Sequence, residues 1–325
     1  MVDEVTASYD RSRHRFAVLL TFAVVALVAA GALVTSKGAG LSVPDWPLSY
    51  GSLNPPQWWE IENVRAEHGH RLFAGLVALL TVALAAWTWR CEPRCWVRRL
   101  SYSAVAVVLL QAVLGGLTVL LFLPTSVSVG HAGIAEIFLG LMTTLAVVTS
   151  RVWLEEHSKE GLYASQFEAI RRAAVFLSAL VYCQILVGAV MRHSGAGLAI
   201  PDFPLAFGRL IPRDWSFAIG IHYAHRLGAI VIAATILVVF VRILRRAPAV
   251  RALLVPSALL VVLVCTQIVL GGAVVLTGKA VLPNTVHVGV GASIWAMSLV
   301  LALNATRVTS REPRRAVRTR EESIS

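Results

Sequence analysis

The chain alternates long, unbroken apolar runs with short polar stretches. The runs cover roughly residues 16–35, 72–89, 103–122, 132–149, 173–191, 227–241, 252–276 and 288–303. About 20 apolar residues is the length a helix needs to cross the hydrocarbon layer of a bilayer, so eight transmembrane helices are predicted. A membrane β-barrel would instead alternate apolar and polar positions over about ten residues per strand, and the runs show no such alternation. The first run follows basic residues, as in a signal peptide, but at about 20 residues it is too long for an h-region, and Asp3 and Glu4 argue against a mitochondrial transit peptide. It is read as the first helix.

The pattern also repeats. The first span leads into Lys37-Gly38-Ala39-Gly40-Leu41-Ser42-Val43-Pro44-Asp45-Trp46-Pro47-Leu48-Ser49-Tyr50-Gly51, and the fifth into Ser194-Gly195-Ala196-Gly197-Leu198-Ala199-Ile200-Pro201-Asp202-Phe203-Pro204-Leu205-Ala206-Phe207-Gly208. Gln111 and Leu114-Gly115-Gly116 recur as Gln267 and Leu270-Gly271-Gly272, and Gly130-His131 recurs as Val286-His287, at a constant offset of 155 to 157 residues. The predicted fold is therefore all-α and integral to the membrane, with two tandem four-helix bundles. An even number of helices per copy gives both copies the same orientation, related by a pseudo-two-fold axis along the membrane normal. The expected division is an N-terminal half (1–151), a polar linker (152–172), a C-terminal half (173–307) and a basic tail (308–325). The glycine-rich stretches match neither a P-loop nor a dinucleotide fingerprint. They read as fixed lids, with Asp45 and Asp202 capping or pairing inside them, or contacting a ligand.

Composition agrees with a membrane protein: 57% hydrophobic and 14% charged residues, with a mean hydropathy of +0.72. The net charge of +11 is a matter of topology rather than of a nucleic-acid ligand. With an even helix count both termini lie on one side, and that side collects Arg11, Arg13 and Arg15, then Arg90, Arg94, Arg98 and Arg99, then Arg151, Lys159, Arg171 and Arg172, then Arg242, Arg245, Arg246 and Arg251, and the basic tail. By the positive-inside rule this side is cytoplasmic. Cytoplasmic termini without a transit peptide favour a bacterial plasma membrane. No two of the four cysteines share an outer loop; Cys91 and Cys95 would lie on the reducing side, read either as a metal or redox pair or as loop and interface cysteines, and no second pair completes a zinc site.

Four histidines carry the candidate chemistry. From His70 to Arg90, His131 to Arg151, His225 to Arg245 and His287 to Arg307 the interval is 20 residues each time, about 30 Å along a helix. The four imidazoles thus share one plane near the outer surface. Neutral imidazole is the commonest metal ligand, and two imidazoles on facing helices can hold a haem iron from both sides. Zinc or copper would more often use closely spaced ligands. Two haem sites are the best physical reading. Arg71 and Arg226 could pair with haem propionates or extend to the headgroups. His68, His193 and His222 read as loop or supporting residues.

The halves differ three residues before the first histidine of each, where Glu67 stands in one and His222 in the other. Glu67 lies on the face that His70 presents. It could take protons or stabilise developing positive charge, or simply favour the helix start through the dipole. Glu136, five residues after His131, is expected to face the bundle interior, protonated or paired.

Taken in order, the Pro44-Asp45-Trp46-Pro47 lid, Glu67-x-x-His70-Arg71, His131, His225-Arg226 and His287 resemble the haem A synthase family of terminal-oxidase assembly, over nearly the whole chain. The resemblance implies a membrane oxidoreductase that oxidises the C8 methyl of haem O to a formyl group through successive hydroxylations, giving haem A. It implies that His225 and His287 ligate a retained haem b, that His70 and His131 hold the substrate haem, and that Glu67 is the catalytic carboxylate. A haem O synthase and a membrane electron donor are the expected partners beside the lipid bilayer, with haem sites near the outer face and the oligomeric state left open. Many family members carry an outer-loop cysteine pair, which neither lid has here. The rival is a di-haem cytochrome that only transfers electrons.

Overall fold

The computed structural model describes residues 8–155 and 164–309. Its helices, in order, are α1 (Arg11–Ser36), α2 (Glu62–Cys91), α3 (Cys95–Leu120), α4 (Thr125–Val148), the short α5 (Arg151–Glu155), α6 (Ala164–His193), α7 (Phe217–Arg246), α8 (Arg251–Leu276) and α9 (Val281–Thr309). All but α5 contain a stretch long and apolar enough to cross a membrane. The eight predicted spans are therefore present, and the described residues contain no strand, only isolated bridges at Ser49–Ser52 and Ala206–Arg209. Residues 156–163 of the predicted linker and 310–325 of the predicted tail lie outside the described residues.

The helices extend beyond their apolar runs at both ends. α2 and α7 begin eight residues before His70 and His225, and α4 and α9 begin six residues before His131 and His287. At about 1.5 Å per residue, the histidines lie roughly 9–12 Å inside their helices rather than at the mouths. Hydropathy locates only the apolar part; the first turn of α2, with Glu62, Asn63 and Arg65 exposed, precedes the apolar run and carries no such signal. Local caps fix some ends. Asp10 accepts from the amides of Ser12 and Arg13 at 3.0 Å each, opening α1, and Ser216 accepts from Ile219 N at 3.2 Å, opening α7, as short polar side chains do at helix starts.

In the first half α1 packs on α2 and α4, and α3 packs on α2 and α4; in the second, α6 packs on α7 and α9, and α8 on α7 and α9. α1 and α4 then meet α9, and α4 meets α6, joining the halves. The main apolar cluster of each bundle lies at the end away from the lids. In the first it includes Ala17, Leu20, Val24, Val77, Leu84, Ala104, Val108 and Phe138; in the second Ala174, Leu177, Val181, Ile232, Ile236, Leu260, Val264 and Ile294. His70 lies seven residues beyond Val77, and His225 seven beyond Ile232. These main clusters end about two turns short of the histidines, and smaller sets of buried residues, Ala32, Val34 and Val43 in one half and Ala189, Ala196 and Ile200 in the other, continue to the lids.

The non-lid end of the first bundle also has a buried ion network. Arg13 Nη2 lies 2.9 Å from Glu92 Oε2, both groups almost fully buried, while Arg94 Nε and Nη2 donate to Glu92 at 2.7 and 2.9 Å and Arg94 Nη2 to Val148 O at 3.0 Å. Burial pushes the Glu92 carboxyl upward, but the bonds from Arg94 and the charges of Arg94 and Arg13 outweigh it and hold it below its ordinary value. Between the halves, Glu136 is buried with Oε2 lacking a partner. Its backbone carbonyl accepts from Trp295 Nε1 at 2.8 Å, and Tyr182 Oη donates to Gly133 O at 3.3 Å.

Candidate functional site

Each lid folds back over its bundle by the same set of bonds. Asp45 accepts from the amides of Tyr50 (2.7 Å) and Gly51 (2.8 Å), and Asp202 from those of Phe207 (2.8 Å) and Gly208 (2.7 Å). Both aspartates therefore close a turn, as one of their predicted readings has it. The second residue of each donor pair, Gly51 or Gly208, has φ of 72° or 71°, a region glycine enters without steric cost. The Gly51 amide holds the exposed Asp45 carboxyl below its ordinary range, with Tyr50 and the charge of Arg71 contributing; the Gly208 amide does the same for Asp202, with Phe207 and Arg226.

An arginine then clamps the lid to the helix. Arg71 Nη1 donates to Asp45 O (2.7 Å) and Leu48 O (3.0 Å), and Nη2 to Val43 O (2.9 Å). Arg226 reproduces this with Leu205 O (2.7 Å), Ile200 O (3.1 Å) and Asp202 O (2.7 Å). The terminal nitrogens of both guanidinium groups are thus engaged by lid carbonyls, a task neither sequence reading of these arginines foresaw. Guanidinium suits it because its donors fan out in one plane.

Glu67 belongs to the same clamp. Its Oε2 accepts from Val43 N at 2.8 Å and its Oε1 from Arg71 Nη2 at 2.7 Å. In the second half the corresponding lid amide, Ile200 N, donates to His222 Nδ1 at 3.3 Å. Carboxyl group and imidazole hold the same lid atom, and only the first half has the carboxyl group there. His68 is buried, with Nδ1 2.8 Å from Ser49 Oγ of the lid, so it supports the lid.

Below the lids, each of the four histidine rings rests edge-on against a glycine of a neighbouring helix. A Cβ added at Gly31 would stand 3.1 Å from His70 Cε1, at Gly115 3.1 Å from His131, at Gly188 2.9 Å from His225, and at Gly271 3.2 Å from His287. Added at Gly116 it would collide with the Trp46 ring, and at Gly272 it would stand 2.9 Å from the Phe203 ring. The paired glycines thus have separate tasks: one admits the histidine, the next admits the lid aromatic.

Glutamines complete the pattern. Gln111 Nε2 lies 3.3 Å from His131 Nε2 and donates to His131 O at 2.9 Å; Gln184 Nε2 lies 3.0 Å from His225 Nδ1 and donates to His225 O at 2.6 Å; Gln267 Nε2 lies 3.2 Å from His287 Nε2. Gln111 and Gln267 stand out in the sequence only as marks of the repeat, and Gln184 has no such mark. The trace that would have found all three is Gln-x-x-x-Gly at 111–115, 184–188 and 267–271.

These residues fit a haem. The Nδ1 atoms of His70, His131 and His287 are buried without a hydrogen-bond partner, a costly arrangement that a metal ion relieves. The His225 and His287 ring centroids are 6.5 Å apart, and imidazole–metal bonds of about 2 Å let both rings reach one ion between them. His70 and His131 share the first bundle, on α2 and α4. All four rings stay partly accessible, beyond the packed cores. Among the described residues no cluster of three or more His, Cys, Asp or Glu side chains could hold a bare metal ion, and Cys91, Cys95, Cys183 and Cys265 are free.

The chain matches the model of a family described as cytochrome oxidase assembly protein, COX15-CtaA, over residues 14–67 and 63–299. It is 32% identical over 274 residues to a haem A synthase of Shouchella clausii (strain KSM-K16), covering 82% of this chain and 88% of that protein. It is 30% identical over 282 residues to a haem A synthase of Halalkalibacterium halodurans, covering 85% and 91%, and 29% identical over 276 residues to one of Alkalihalophilus pseudofirmus, covering 84% and 90%.

Proposed function

The chain belongs to the COX15-CtaA family of cytochrome oxidase assembly proteins, and from that premise we propose that it is a haem A synthase, a membrane oxidoreductase that converts haem O to haem A. The observation that carries this reading is the asymmetry of an otherwise duplicated site. Both bundles offer two imidazoles cradled by glycines beneath a clamped lid, but only the first puts a carboxylate, Glu67, where the second has His222. A cytochrome that only passed electrons would have no use for that difference.

We infer that His70 and His131 hold haem O in the first half, 1–151, while its C8 methyl is oxidised to a formyl group through successive hydroxylations. His225 and His287 hold a haem b in the second half, 173–307. That haem supplies the one-electron chemistry of the site when bound. The lids, fixed by Arg71 and Arg226, keep water out. Glu67 takes the protons released at the first site or stabilises positive charge developing there. Each of its oxygens has one protein donor and a further lone-pair position, so the carboxylate can accept a proton without releasing Val43 N or Arg71.

The same reading puts the arginine-rich ends in the cytoplasm of a bacterium, with the haem sites near the outer face of the plasma membrane. A haem O synthase and a membrane electron donor are its proposed partners. The test is co-expression with a haem O synthase, followed by purification, haem extraction and chromatography. Haem A or a hydroxylated haem O beside haem b is expected. Haem b alone, at two per chain with no haem A in the membranes, would overturn the synthase reading in favour of the electron-transfer cytochrome.

A further inference from the structure

Three of the four histidines have a glutamine beside a ring nitrogen, and His70 does not. In α3, α6 and α8 the glutamine comes four residues before the glycine that cradles the ring; in α1 the residue four before Gly31 is Leu27. The exception extends across the helix pair. A Cβ at Gly228, three residues after His225, would collide with the Gln184 amide, and one at Gly291 would stand 3.2 Å from Gln267 Nε2. Three residues after His70 stands Phe73. Where the second half has a glutamine and a glycine, the first has leucine and phenylalanine, and both pack against the apolar core of the first bundle. Like those of His131 and His287, the His70 Nδ1 is buried with no partner; what sets His70 apart is that no glutamine stands at either of its ring nitrogens.

We propose that Gln111, Gln184 and Gln267 are positioning residues that fix the imidazoles of His131, His225 and His287, and that Leu27 and Phe73 leave His70 as the releasable ligand, through which haem enters and leaves the first site. The proposal rests on the reading of the four histidines as haem ligands. When one ring nitrogen binds metal the other carries N–H and needs an acceptor. A half-turn of each glutamine amide brings Oε1 to that nitrogen in place of Nε2, and Gln111 Oε1 and Gln267 Oε1 are buried without a partner of their own. The held imidazole thus keeps one orientation, and loss of such a partner typically lowers metal affinity about 10–100-fold. The second site has both ligands held, as a resident cofactor requires. The first has one held and one free. A substrate must be admitted and its product passed on, so a site weak on one side suits turnover.

The test uses purified full-length protein loaded with protohaem as the probe, with haem loss to excess apomyoglobin followed by absorbance. Two phases are expected from the wild type, the faster from the first half. Leu27→Gln with Phe73→Gly, which imports the second-half arrangement, should slow the fast phase about 10–100-fold. The reverse exchange, Gln184→Leu with Gly228→Phe, should speed the slow phase by a similar factor, and the milder Gln184→Leu covers the case in which the larger side chain prevents folding. Gln184→Glu keeps an acceptor for the ring N–H and should restore slow loss. Electron paramagnetic resonance of the oxidised haem should broaden on Gln184→Leu and sharpen again on Gln184→Glu, as ring orientation is freed and refixed. If Leu27→Gln with Phe73→Gly folds and binds haem but leaves the fast phase within about twofold of wild type, the positioning role is refuted. Wild-type protein that binds no protohaem at all would instead refute the haem reading beneath it.

Discussion

Glu67 is bonded to the lid as well as proposed for chemistry, and the second half of the molecule supplies the substitution that separates the two roles. Glu67→Ala removes the acceptor for Val43 N at 2.8 Å and for Arg71 Nη2 at 2.7 Å. Hydrogen bonds to a charged group contribute roughly 1.5–3 kcal/mol each, but Arg71 keeps its bonds to the carbonyls of Val43, Asp45 and Leu48, so a net cost of about 3 kcal/mol is expected. That loss would loosen the lid and confuse any rate measurement. Glu67→His is the cleaner perturbation, because His222 already holds the equivalent amide, Ile200 N, with an imidazole. It should leave the lid amide bonded and forfeit only the pair with Arg71, at about 1.5–3 kcal/mol. A carboxylate acting on protons in the reaction is worth about 10²–10⁴-fold. Conversion of haem O, measured by chromatography of membrane haems, should fall by that factor, while haem content per chain and hydrogen exchange at the amides of 42–51 stay near wild type. Conversion within about threefold of wild type would show that the carboxylate serves only to anchor the lid.

Gly188→Ala brings a methyl to 2.9 Å from His225 Cε1 while the Gln184 amide holds the ring from another side; overpacking of about 1–3 kcal/mol and a loss of second-half haem should appear in the pyridine haemochrome, whereas full occupancy would contradict the cradle. Arg226→Ala leaves the carbonyls of Ile200, Asp202 and Leu205 without their donor, and limited proteolysis should then cut within 200–209 at least tenfold faster, with 43–51 unaffected. Asp45 and Asp202 have carboxyl groups held below their ordinary range, so their contribution to lid order is fully present above about pH 4, the unfolded carboxylate value, and is lost as pH falls through the lower folded value. Hydrogen exchange at Tyr50, Gly51, Phe207 and Gly208 should therefore rise only below about pH 4, and a rise near neutrality would contradict the assignment. Glu92→Ala strands the buried Arg13 charge, and thermal melting should report a loss of about 3–5 kcal/mol; no loss would mean that water reaches Arg13.

Much of the fold was legible because its causes are local. Membrane-length apolar runs, the repeat of both lids, and four histidines at one distance from four arginines are one-dimensional patterns, and each maps onto the three-dimensional arrangement through the constant rise of a helix. The turn-closing reading of Asp45 and Asp202 was legible for the same reason, since their partners lie five and six residues away. Helix starts at the lid end were not. Hydropathy reports preference for lipid, and the first turn of α2 consists mostly of exposed polar residues, Glu62, Asn63 and Arg65, that give no such signal.

What only the tertiary structure decided is which polar groups meet across helices. Arg71 reaches carbonyls 23 to 28 residues away in sequence, Gln184 reaches a histidine 41 residues away, and Gly115 and Gly116, adjacent in sequence, face different partners because successive residues point about 100° apart around a helix. Such contacts depend on how neighbouring helices are rotated and packed, which no local spacing records. The sequence by itself determined an all-α membrane protein, duplicated, with four histidines each 20 residues before an arginine. The packing of helix against helix decided that Glu67 is bonded to the lid and that His70 alone lacks a glutamine, because a side chain's partners are set by the three-dimensional positions of helices that the chain visits far apart.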